Sequence, residues 1–399
     1  MFLVPNTRKI LIFSLVYYPH YVGGAEAAVK EIADRINPEV TEFHMITLSR
    51  SSLDKKEEKF GNVVLHRIGF PIFKQDVVSY HRFVLFINKL LYPVSAFFKA
   101  NSLHKKYSFH ATWSLMANYA GYSAYFFKIF NPRVSFILSL QEGDSEEHLK
   151  YKWAGLIDLS WRLTLKKADF LVAISNYLLD RAKTFGFRGE AYLIPNGVDL
   201  GKFDMEIWKD GKIKIRKDWG FKEDDVVLIT SSRLNVKNGV VDVIKALANL
   251  SDNIKFIIFG IGELENELKK LVQKLNLESR VKFMGFVSHD DLPGYLKASD
   301  IFIRPSLSEG MGNSFLEAMA ARLPVIATPV GGIVDFLRDG ETGYFCKPED
   351  PESIVVAVNR CVSDPNKNQV IENAYKMVVE KYDWNNIAVD MGQKIFAKI

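Results

Sequence analysis

The chain has 399 residues, 48% hydrophobic and 25% charged, with a formal net charge of +5 and only two cysteines, Cys346 and Cys361. That length exceeds one ordinary hydrophobic core and suits two domains of similar size. Two cysteines exclude a disulfide framework and any cysteine-rich metal module, and a reducing, cytoplasmic setting is expected.

The first nine residues lack the basic-then-apolar order of a secretory leader. From Lys9 onward, short β-branched runs alternate with helical patterns, which points to parallel α/β architecture. In the N-terminal half the runs predict strands over Lys9–Val16, Phe43–Leu48, Val63–Ile68, Val134–Leu140, Phe170–Ile174 and Ala191–Ile194. Helices are predicted over Ala25–Ile36, Tyr80–Lys105, Leu115–Phe130, Ala154–Lys166 and Ser175–Phe185, the last opened by Ser175 as N-cap. A turn-rich segment, Pro195-Asn196-Gly197-Val198-Asp199, precedes a second series, which places a domain boundary near residues 196–210. Strands follow over Val226–Thr230, Ile254–Phe259, Val281–Met284, Ile301–Ile303 and Pro324–Ala327. Helices are predicted over Gly239–Leu250, Glu263–Leu275, Leu292–Ala298, Ser314–Ala321 and Pro351–Cys361, and an amphipathic helix from Trp384 ends the chain.

Glycine turns stand where strands feed helices: Gly23-Gly24, Gly260-Ile261-Gly262 and Gly331-Gly332. In open α/β sheets that edge binds ligands, and a glycine turn at a helix N-terminus admits an anion. The spacing is not a dinucleotide fingerprint, and each turn is equally compatible with a plain connection.

The segment from Pro305 to Ala320 carries the most chemistry. Glu309 lies in a glycine loop and Glu317 eight residues later in the opening turn of a helix. Carboxylates accept paired hydrogen bonds from vicinal sugar hydroxyls, and loop amides suit a diphosphate. Ser314-x-x-Glu317 also fits a capping box, in which Glu317 would only satisfy the N-cap amide.

The Glu309-x7-Glu317 element, with its Gly310-x-Gly312 and Glu317-Ala318-Met319-Ala320 flanks, resembles the retaining glycosyltransferases of family 4, the group 1 glycosyl transferases. So do Leu323–Thr328 running into Val330-Gly331-Gly332, Ile194–Asp199, Ser232–Gly239, and Tyr17-Tyr18-Pro19 with Gly23–Glu26. The resemblance implies an α/β chain of the GT-B fold, two Rossmann-like domains facing across a cleft. Residues 1–200 would bind acceptor and 201–382 the nucleotide sugar, with 383–399 a helix that could return to the N-terminal domain. It implies transfer of a hexosyl unit from a UDP-, GDP- or ADP-hexose to a glycan or lipid-linked acceptor, with retention and with no cofactor or bound metal required. Carried over by position, Arg233 and Lys237 would neutralise the departing diphosphate and Glu309 would hold donor sugar hydroxyls at the reaction centre. Glu317 would hold the ribose. Gly310, Met311, Gly312, Asn313 and Ser314 would offer amides, Phe286 and Val287 would border the base, and Gly23 and Gly24 would face the phosphates.

Two positions depart from the family pattern. Gln141, in Ser139-Leu140-Gln141-Glu142-Gly143-Asp144, stands where many members carry His; an amide is no general base, so Gln141 and Asp144 would orient donor or acceptor. Only three residues separate Arg233 from Lys237, which weakens the carry-over to Lys237.

Between Phe60 and Arg133 nine Lys or Arg face one acid, Asp76, so this stretch holds more than the whole net charge. Its residues 80–107 interleave basic and aromatic side chains. They read either as a peripheral contact with an anionic membrane or as a helix with its apolar face in the core. No uninterrupted apolar run here reaches the ~20 residues of a span, since Lys89 and Pro93 break Phe83–Phe98. Seven of the eight histidines lie before residue 151 without metal-ligand spacing and read as scattered polar residues. A nucleotide-sugar epimerase on the same fold and a non-catalytic binding module are the alternative functions; no nucleic-acid motif accompanies the basic stretch.

Overall fold

The computed structural model describes residues 7–20, 23–71, 78–143, 156–203 and 211–399. It divides into two compact units, Met1–Asn196 with Trp384–Ile399, and Gly197–Asp383.

In the first unit the described elements are β1 (Arg8–Phe13), α1 (Gly24–Arg35), β2 (Thr41–Leu48), β3 (Glu57–Phe60), β4 (Val63–Ile68), α2 (Val78–Tyr107), β5 (Ala111–Leu115), α3 (Tyr119–Phe130), β6 (Ser135–Leu140), α4 (Leu156–Lys167), β7 (Phe170–Ala173), α5 (Asn176–Thr184) and β8 (Glu190–Leu193). Their sheet runs β3-β4-β2-β1-β5-β6-β7-β8, parallel except for β3. Both faces of β1 are covered, so its sequence is a continuous apolar run and Ile10, Leu11, Ile12 and Phe13 are fully buried. β3 was not foreseen: Glu57-Glu58-Lys59-Phe60 is charged because it is an antiparallel edge strand that keeps half its side chains in water. β5 was also missed, since its short Ala-Thr-Trp-Ser-Leu sequence mixes polar residues into a buried strand. Ser175 does cap α5, accepting from the Leu178 amide at 3.4 Å.

The second unit contains α6 (Gly211–Trp219), β9 (Val226–Ser231), α7 (Val240–Leu247), β10 (Ile254–Phe259), α8 (Glu265–Lys274), β11 (Val281–Gly285), α9 (Leu292–Ala298), β12 (Ile301–Arg304), α10 (Asn313–Ala320), β13 (Val325–Ala327), β14 (Tyr344–Phe345), α11 (Pro351–Ser363) and α12 (Lys367–Lys381). Its sheet is parallel in the order β11-β10-β9-β12-β13-β14. The unexpected α12 presents only a narrow stripe, Val370, Ala374 and Val378, to the core.

The last helix, α13 (Trp384–Lys394), belongs to the first unit and packs on α1. Trp384, Ile387 and Met391 join Val29, Ile32 and Ala33 in one cluster. Beyond α13, Phe396 meets Phe43 at 5.5 Å and Trp113 at 5.6 Å between ring centroids.

The histidines are not all scattered. His44 and His66 are buried and stacked, with Nδ1 of His44 3.0 Å from Nε2 of His66. Burial and the mutual repulsion of two cations hold His66 down at about 4, and burial lowers His44 as well.

Candidate functional site

In an open parallel sheet the ligand crevice forms beyond the carboxyl ends of the strands, where the strand order reverses. In the second unit β9 lies between β10 and β12, so the reversal falls between β9 and β12. The loop after β9 carries Arg233 and Lys237, and the loop after β12 carries Glu309. The sequence-predicted cations and acid are therefore brought to one edge of one sheet. The two loops are tied directly: the Leu307 amide donates to the Lys237 carbonyl at 2.7 Å. The Gly332 amide donates to the Glu309 carbonyl at 3.1 Å, adding the turn after β13. Gly331 makes this approach feasible. It sits at φ +56, and a Cβ there would lie 1.9 Å from the Glu309 carbonyl oxygen.

Both oxygens of the Glu309 carboxylate are held. Oε2 accepts from Nη2 of Arg304 at 2.7 Å, and Oε1 accepts from the Gly310 amide at 3.1 Å. A carboxylate has about four lone-pair sites, which leaves capacity for hydroxyls of a ligand. Arg304 was not picked out from the sequence. It ends the buried strand Ile301-Phe302-Ile303-Arg304 and is itself buried. Its other Nη donates to the Ser314 hydroxyl at 2.8 Å, and its guanidinium lies 4.1 Å from the centre of the Phe315 ring. Burial lowers its pKa, opposed by the charges of Glu309 and Glu317. The signal was present: a charge closing an otherwise apolar buried strand demands a partner.

Ser314 is thus committed to Arg304 rather than to a cap. Helix α10 starts at Asn313 with Gly312 as its N-cap, so the capping-box alternative for Ser314 and Glu317 does not hold. Gly312 stands at φ +86, a left-handed conformation, and a Cβ there would meet Arg304 Nη2 at 2.3 Å. Within the same loop Gly310 and Met311 are buried and Asn313 is half-buried. Glu317 lies in the second turn, its side chain 14% exposed, with Oε1 3.2 Å from Nδ1 of His289. Phe286 is exposed and Val287 half-buried, just past the end of β11 on the same edge of the sheet.

Arg233 is exposed and Lys237 half-buried; among the described residues neither has an ion-pair partner. Buried polar side-chain atoms usually find partners. Of eleven described atoms that do not, five gather at this edge: Thr230 Oγ1, Ser232 Oγ, Asn235 Oδ1, Arg304 Nε and Ser306 Oγ. All five lie beneath the carboxyl edge of the sheet, behind the loops that carry Arg233, Lys237 and Glu309.

In the first unit the strand order reverses between β1 and β5. Gly23 caps α1 there, but its amide donates to Oε2 of Glu26 at 2.9 Å, so a carboxylate already neutralises this helix N-terminus. Gly24, the first helical residue, is exposed. After β6, Gln141 forms a reciprocal amide pair with Asn196, at 3.1 and 2.8 Å. Buried Glu142, which sequence reasoning passed over, accepts from the Ala117 amide at 2.6 Å and the Gln141 amide at 3.0 Å. Asp144 lies outside the described residues.

The family model for Glycosyl transferases group 1 matches residues 211–377, and that for Glycosyltransferase Family 4 matches residues 22–202. Over 199 residues the chain is 34% identical to an uncharacterized glycosyltransferase of Methanocaldococcus jannaschii, covering 49% of this chain and 51% of that protein. Over 244 residues it is 34% identical to the UDP-Gal:alpha-D-GlcNAc-diphosphoundecaprenol alpha-1,3-galactosyltransferase of Escherichia coli, covering 59% of this chain and 60% of that one. The chain thus spans about half to three-fifths of the length of these relatives. The solved sucrose-phosphate synthase from Thermosynechococcus elongatus is similar in fold, with a TM-score of 0.82 at 22% identity over 98% of this chain and 100% of that one.

Proposed function

The chain belongs to the family 4, or group 1, glycosyltransferases and has their GT-B fold, and from that premise we propose that it moves a hexosyl unit from a nucleotide sugar to a glycan or lipid-linked acceptor, with retention. One observation carries the reading. Arg233 and Lys237, cations with no ion-pair partner among the described residues, share a strand-order reversal with a carboxylate whose two oxygens are already oriented. A similar protein bears a name that includes UDP-Gal and a diphosphoundecaprenol acceptor, which supports this choice of donor and acceptor classes.

In this reading the bond between the anomeric carbon and the diphosphate breaks, and the electron pair leaves with the nucleoside diphosphate. Arg233 and Lys237 stabilise that growing charge, the former as a bidentate fork and the latter as a point charge. The acceptor oxygen bonds to the anomeric carbon from the same face, and its proton passes to a leaving phosphate oxygen. Glu309 fixes donor sugar hydroxyls, Glu317 holds the ribose, and amides of the loop from Gly310 to Ser314 take the remaining oxygens. Phe286 and Val287 border the base. No metal enters this scheme, so turnover should persist in excess EDTA.

Glu309→Gln preserves shape but removes the charge that holds Arg304 and the hydroxyls. The expected result is a kcat lower by about 10²–10³-fold, with nucleoside diphosphate affinity unchanged. A turnover close to that of the unaltered protein removes Glu309 from the mechanism. A thermal-shift series with UDP-, GDP- and ADP-sugars identifies the base, because a ligand of the folded state raises its melting point.

A further inference from the structure

Helix α2 spans 30 residues, and neither it nor α3 contains a single Asp or Glu. Its inner face is committed to the sheet. Tyr92 is fully buried and its hydroxyl donates to the carbonyls of Ser14 and Ile46, at 3.2 and 2.8 Å, while Ala96, Ala100 and Leu103 are buried beside it. The outer face is also apolar. Phe83, Phe86, Leu90, Val94 and Phe98 recur at helical spacing and are all exposed, Phe83 by 60% and Phe98 by 65%. Phe97 meets Phe130 of α3 at 5.2 Å, and Phe126, Ile129 and Phe130 extend the exposed apolar surface. Lys89, Lys105 and Lys106 are exposed on α2, Lys89 with its ammonium 4.8 Å from the Tyr119 ring centre.

The helix thus has the apolar core face that one reading of residues 80–107 expected, and carries a second apolar face outside it. By length and composition Phe83–Tyr107 could cross a bilayer, which the sequence reading had set aside. The bonds from Tyr92 to the sheet hold the helix along the protein instead. A long apolar stripe edged by lysines and free of acids matches one environment: the boundary of a lipid bilayer with negatively charged headgroups.

We infer that the outer face of α2, continued by α3, docks this protein flat on an anionic membrane surface. Apolar side chains enter the acyl boundary while lysines pair with headgroups. The inference stands on surface chemistry alone and does not require glycosyl transfer.

The test is sedimentation of the whole chain with vesicles, read without any sugar substrate. Vesicles of phosphatidylcholine with 30% phosphatidylglycerol should bind at least tenfold more tightly than pure phosphatidylcholine, and 0.5 M salt should weaken that binding. Lys105→Gln with Lys106→Gln should weaken it by about fivefold per lysine. Leu90→Glu with Val94→Glu should abolish it while leaving the unfolding midpoint unchanged, because both side chains are exposed. Phe98→Ser provides a milder variant should the double change disturb folding. Equal binding to both vesicle types, or full binding by both apolar variants, overturns the inference. So does a dimer that Leu90→Glu dissolves in a protein that ignores vesicles, because the stripe is then a contact between copies.

Discussion

Replacing Arg304 by methionine tests whether the acidic loop is held from below. The change keeps most of the apolar volume and deletes a buried guanidinium bonded to Glu309 and Ser314. Removing one member of a buried pair costs about 3–5 kcal/mol when the other is left uncompensated. Glu309 would retain the Gly310 amide, and its side chain is 13% exposed, so water offsets part of the loss. That places the penalty near the lower end, at about 3 kcal/mol. A unit of 150–250 residues loses about 2–4 °C per kcal/mol, so its calorimetric transition should fall by about 6–12 °C. Arg304→Lys keeps a charge but not the fork that reaches two partners, and should fall between the two. Kinetically, the methionine variant should lose kcat at least tenfold with a small change in donor KM, because Glu309 would still be present but no longer oriented. A transition within 2 °C of the unaltered protein, with unchanged kcat, would show that Arg304 neither supports the loop nor positions its acid.

Phe396→Ala opens a cavity against Phe43 and Trp113 and should cost the first unit about 3–5 kcal/mol by denaturant titration; an unchanged midpoint would mean the tail does not complete that core. His66 titrates at about 4 in the folded chain against 6.5 unfolded, so the unfolded state takes up the proton first as pH falls. Stability should be full above pH 6.5 and decline through pH 4 by roughly 3 kcal/mol from this group, and His66→Phe should flatten that limb in urea titrations at stepped pH. Burial pushes both thiols up to about 12, so Cys346 and Cys361 should ignore Ellman's reagent at pH 8 until the chain is unfolded.

The parallel architecture was legible because buried parallel strands write themselves as apolar runs, as Ile10–Phe13 and Phe256–Phe259 do. Strands that break that rule escaped: β3 is wet on one side, and β14 has two residues. Within the site, Glu309, Arg233 and Lys237 were visible through motif spacing, and the sheet puts their loops side by side. Arg304 escaped because its importance lies in a partner five residues away, a pairing that only the turn after β12 creates. The spacing of Ser314 and Glu317 suggested a cap, but the helix begins one residue earlier than Ser314, and the hydroxyl turns toward the arginine. Periodicity could define α2 as amphipathic and basic; which of its apolar faces the sheet would cover depended on Tyr92 reaching the carbonyls of Ser14, just past β1, and of Ile46 in β2.

The second unit is spliced into the first rather than appended to it. Its two ends meet, with the Val198 amide donating to the Tyr382 carbonyl at 2.7 Å, and the chain then returns to finish the first core with Trp384–Ile399. During vectorial synthesis the N-terminal portion must therefore wait, its apolar groove on α1 uncovered, until residues 384–396 leave the ribosome. A chain cut near residue 384 would lack Trp384, Met391 and Phe396 and expose that groove, so it should yield an aggregating N-terminal portion beside an intact insert.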